Sequence, residues 1–72
     1  MFNPNMKPMK DLLKDNTNQE ILELLEKNNA MSLGTIVRKL GISAERGLKH
    51  MIRLRQNGLV RIETEAKYAL NI

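Results

Sequence analysis

The feature that most constrains this chain is the passage Leu40-Gly41-Ile42-Ser43, which stops one helix and starts another with almost nothing between them. Before it, Leu33, Ile36, Val37 and Leu40 recur at i, i+3, i+4 and i+7, the spacing that places apolar side chains on one buried helical face. Ser32 precedes that stripe as a side-chain cap for the free backbone N–H groups of the first turn. Gly41 supplies a left-handed stop, and Ser43 is a second cap, with Glu45 in the following turn favourable to the helix dipole.

The helix after Ser43 is predicted to run from about Ala44 to Asn57, with Leu48, Met51 and Leu54 as its inner stripe and Gly58 as its stop. Arg46, Lys49, His50 and Arg53 are left facing out. From Leu59 the apolar period changes to two, with Val60 and Ile62 on one side, then Tyr68, Leu70 and Ile72 on one side. Two antiparallel strands joined by the polar turn Glu63-Thr64-Glu65-Ala66-Lys67 explain that alternation.

Upstream, Thr17 and Glu20 have the spacing of a capping box, so a helix is expected from near Asn18, with Ile21, Leu24 and Leu25 facing inward and Asn28-Asn29 ending it. Residues 1–16 hold both prolines and no sustained periodicity, and read as an arm with one turn at Pro8–Lys14. The expected organisation is an arm over 1–16 and one domain over 17–72. Its class is α+β and mainly α: a three-helix core containing a helix-turn-helix, followed by a short two-stranded antiparallel wing.

Charge divides the chain in the same places. Residues 34–61 carry Arg38, Lys39, Arg46, Lys49, Arg53, Arg55 and Arg61 against Glu45, a balance of +6, while 1–33 and 62–72 each balance to −1. A basic surface confined to the helix-turn-helix is a candidate site for a polyanion. A charge run is also the ordinary solvated face of an amphipathic helix, and Arg38, Lys39 and Arg55 fit that plainer role.

The segment Ser32-Leu33-Gly34-Thr35-Ile36-Val37-Arg38-Lys39-Leu40-Gly41-Ile42-Ser43, together with Leu54-Arg55-Gln56-Asn57-Gly58-Leu59-Val60, resembles winged-helix repressors of the MarR and ArsR type. The resemblance covers roughly residues 17–72. It implies a third helix that reads double-stranded DNA in the major groove, a wing against the flanking backbone or minor groove, and a homodimer on a pseudo-palindromic site. Carried over by position, it places Ser43, Ala44 and Arg46 at the groove-entering end, Lys49, His50 and Arg53 on the next turns, and Arg61 and Lys67 in the wing. Arg46 suits a bidentate contact to guanine or a phosphate clamp; Lys49 and Arg53 suit phosphate neutralisation.

Three departures qualify the resemblance. Gly47 stands where an apolar side chain is usual, so either two backbones approach closely there or the helix is softened. Glu63 and Glu65 flank the wing turn and repel phosphate. The long dimerisation helices are missing, which leaves the first helix and the arm, with Met1, Phe2, Met6 and Met9, as candidate dimer surface.

Other chemistries find no support. His50 is the single histidine and there is no cysteine, so no metal or other cofactor is expected. Gly34, Gly41, Gly47 and Gly58 match no phosphate-cradling loop, no run of residues is long and apolar enough for a membrane span, and catalysis is not expected. The expectation is a small prokaryotic or viral DNA-binding regulator, repressor-like and cytoplasmic on the nucleoid. Its rivals are a winged helix that binds protein and, more distantly, a small RNA-binding domain.

Overall fold

The computed structural model describes residues 9–71. Two helices, α1 (Met9–Lys14) and α2 (Asn16–Asn28), lead into a short strand β1 (Ala30–Ser32). Helices α3 (Leu33–Leu40) and α4 (Ala44–Gln56) follow, then strands β2 (Val60–Glu63) and β3 (Lys67–Leu70), joined by the single 3-10 turn Thr64–Ala66. The three strands form one antiparallel sheet in the order β1-β3-β2. This is the winged-helix architecture expected from the sequence, with a third strand added.

The caps at α3 and α4 form as their residue types predict. Ser32 Oγ accepts from the Thr35 N–H at 3.3 Å, and Ser43 Oγ from the Arg46 N–H at 3.1 Å. Gly41 closes α3 at φ +68°, the left-handed conformation that a residue without Cβ adopts at no steric penalty. Its N–H and that of Ile42 both turn back to the Val37 carbonyl, which fixes the reversal into α4.

Helix α2 starts two residues earlier than the Thr17–Glu20 pair implies. Asp15 is its cap, accepting from the Asn18 N–H at 3.1 Å, while its own N–H reaches the Leu12 carbonyl at the end of α1. One acidic residue thereby ends one helix and caps the next, and its charge favours the α2 N-terminus. The segment read as an arm therefore contains a packed helix, with Leu12 buried. Of the proposed dimer surface, Met1, Phe2 and Met6 lie outside the described residues.

Ile21, Leu25, Met31, Ile36, Met51, Leu54, Val60 and Tyr68 make the core, drawn from α2, α3, α4 and all three strands. Ala30 and Met31, between the two helices, pair with Ala69 and Tyr68 of β3. Three residues are too few for a period-two pattern to be visible. Val60 is buried but Ile62 is 45% exposed, so the two do not share a covered face: past Val60 the wing projects beyond the helices. Ile72 lies outside the described residues.

Candidate nucleic-acid interface

Helix α4 carries most of the sequence-predicted site, and its orientation is set by Gly47. The inner face is Gly47, Met51 and Leu54, at i, i+4 and i+7, rather than Leu48, Met51 and Leu54. A Cβ on Gly47 would overlap Val37 Cγ1 and touch Leu33 Cδ1 at 3.4 Å and Ile42 Cδ1 at 3.7 Å. The close approach of α3 and α4, one of the two readings open from the sequence, is thus the one realised. It rolls α4 so that Leu48 leaves the core and is 42% exposed.

The outer half of α4 is itself divided. Arg46 and Arg53 lie on one flank and Lys49 on the outermost line, all exposed. Leu48 and Ile52, one turn apart and each 42% exposed, lie on the opposite flank with the exposed Arg55. Glu45 sits one turn before Lys49, and their charged atoms are 3.8 Å apart in an exposed i,i+4 pair. Ser43 and Ala44 stand at the exposed N-terminal end, where Ser43 Oγ is already committed as the cap.

His50 does not face out freely as the sequence pattern suggested. It is half-buried, and its Nδ1 lies 2.7 Å from Oδ1 of Asn18 on α2. Asn18 is itself buried, and its Nδ2 donates to the Leu12 carbonyl at 3.1 Å. That second bond orients the amide, leaves Oδ1 as an acceptor toward α4, and so assigns the proton of His50 to Nδ1. His50 positions α4 against α1 and α2; the sequence signal for this was Asn18, a polar residue within an apolar stripe.

The wing residues are engaged with the wing. One nitrogen of the Arg61 guanidinium donates to the Leu70 carbonyl at 2.7 Å, and the other meets Glu63 Oε1 at 2.6 Å. Lys67 is exposed and faces Glu63 across the β2–β3 register. The positive charge of the wing is therefore largely offset by its own carboxylate. Glu45, Leu48, Ile52, Arg55 and Gln56 are exposed α4 residues outside the site that the sequence pattern suggests.

No described protein family and no curated protein sequence matches this chain. Among solved structures it is similar to HlyU from Vibrio cholerae N16961, at a TM-score of 0.80 and 27% sequence identity, over 89% of this chain and 72% of that one. HlyU is a winged-helix regulator, and the chain has the fold of a winged-helix transcription regulator.

Proposed function

We propose that the protein binds double-stranded DNA in a sequence-specific manner as a MarR/ArsR-like regulator, with α4 in the major groove. The observation that carries this reading is the placement of Arg46, Lys49 and Arg53 on the exposed half of a helix whose other half is locked into a helix-turn-helix. Arg46, nearest the N-terminal end, is the candidate base reader; Lys49 and Arg53 neutralise phosphates, and Ser43 and Ala44 approach the backbone at the helix start. His50 supports this surface from behind through Asn18. The likeness to HlyU supports a regulatory role.

On this reading the active form is a repressor-like homodimer on two half-sites, located in the cytoplasm on the nucleoid. Arg61 and Lys67 contribute less than α4, because Glu63 offsets them. That same offset favours a second reading, in which the domain is a protein-interaction module and the wing is its polar rim.

Binding of the 72-residue chain to duplex DNA across a salt series separates the two. With about four phosphates neutralised, the expected log–log slope is about −3.6. Absent or salt-insensitive duplex binding sinks the DNA reading and leaves the protein-interaction one.

A further inference from the structure

Leu48 and Ile52 form an apolar strip on a helix surface that is otherwise largely polar and charged. Neither is needed by the core, because Gly47, Met51 and Leu54 occupy the inward positions. Neither is covered by another described element, since both remain 42% exposed. The strip is bordered by Lys49 and Arg55 and, on the Lys49 side, by Glu45, with Arg46 and Arg53 on the far flank, within a segment whose balance is still +6. An occupant of this face must therefore present apolar groups bordered by negative charge.

The major groove of DNA does so. The C5-methyl of thymine is its one apolar group, and it is flanked by phosphates on both strands. Leu48 and Ile52 are four residues apart, ~6 Å along the helix axis. That separation matches about two base steps at ~3.4 Å each, so a helix lying along the groove can set one side chain on each of two thymines.

We infer that Leu48 and Ile52 read thymine methyl groups, adding an apolar component of sequence selectivity to the charged contacts of α4. This rests on the DNA-binding reading above and names what part of the sequence is read. Lys49 and Arg53 hold phosphates and Arg46 meets a base edge, while the apolar flank meets methyl groups in the groove.

The test begins with the full chain and a pool of randomised duplexes, from which bound sequences are selected. In the selected duplex each thymine is then replaced in turn by deoxyuridine, which removes the methyl and leaves every hydrogen-bonding group in place. Two thymines about two steps apart in a half-site are expected to weaken binding about fourfold each on replacement, the effect of one buried methyl-sized group. Leu48→Ala and Ile52→Ala are each expected to abolish that thymine preference at one of the two positions, read as the ratio of thymine to deoxyuridine affinity for the same variant.

Tight, salt-dependent binding with no difference between thymine and deoxyuridine at any position overturns the methyl contact and leaves the DNA reading standing. Selection of no duplex at all overturns both, and assigns the apolar strip to a protein partner. The base replacement is read on the unaltered protein, so the inference is testable even if a variant fails to fold.

Discussion

Nδ1 of His50 and Oδ1 of Asn18 lie 2.7 Å apart, joining helix α4 to helix α2 across 32 positions of sequence, and the same Asn18 amide donates to the Leu12 carbonyl. One buried side chain thus holds three helices. Asn18→Leu keeps the branching of the side chain but leaves the Leu12 carbonyl and the His50 N–H without this partner, and is expected to destabilise the fold by about 1–3 kcal/mol. The melting temperature should fall by roughly 4–8 °C for each kcal/mol lost. His50→Asn, whose Nδ2 can take the place of Nδ1 and still donate to Asn18, should fall less; equal losses from the two variants would show that the hydrogen bond is not what matters.

Gly47 and Val37 set the spacing of the helix-turn-helix. Gly47→Ala brings a helix-propensity gain of up to about 1 kcal/mol, yet its Cβ overlaps the Val37 side chain, which is β-branched and stiff. Overpacking of this kind costs about 1–3 kcal/mol, so net destabilisation is expected in urea unfolding. Combining Gly47→Ala with Val37→Ala should be less damaging than the sum of the two single changes, because the second opens the space the first requires. Strict additivity would count against direct contact as the cause.

These two relationships mark where sequence reading succeeds and where it stops. Ser32, Gly41 and Ser43 act through backbone groups within three or four residues, so their roles were visible locally and are found as expected. The rotation of α4 was not, because a stripe of Leu48, Met51 and Leu54 and one of Gly47, Met51 and Leu54 are both helical spacings. Only the contact with Val37 decides between them. The pairing of β1 with β3 is likewise non-local, joining Ala30 to Ala69. His50 was read as exposed because its partner is 32 positions away. The choice of Asp15 over Thr17 as the α2 cap depended on α1 ending at the same residue, which a short helix with little periodicity does not announce.

Two glycines at opposite ends of α3 should respond oppositely to alanine. Gly41 sits at φ +68°, a conformation that costs an L side chain roughly 1 kcal/mol, so Gly41→Ala should be destabilising by about that amount. Gly34 lies within the helix with no atom near its missing Cβ, and Gly34→Ala should be stabilising by up to about 1 kcal/mol. Thermal unfolding of both variants, run side by side, checks the sign of each.

The pairing of Glu45 with Lys49 gives the sharpest electrostatic prediction for the DNA-binding surface. Glu45 offsets the nearest cation and would itself be repelled by phosphate, but both groups are largely exposed, so the pair adds little to stability. Glu45→Gln removes one negative charge from the exposed half of α4 without changing its shape. Duplex affinity at low salt is expected to rise several-fold, with the gain shrinking as salt increases because exposed charges are screened within about 10 Å at 0.1 M. Lys49→Ala should weaken all duplexes evenly, whereas Arg46→Ala should also relax discrimination among sequences. Arg61→Ala should leave the salt slope nearly unchanged, since its guanidinium is held by Glu63 and the Leu70 carbonyl. A large fall in slope from Arg61→Ala, with little from Arg46→Ala or Lys49→Ala, would move the DNA contact from α4 to the wing.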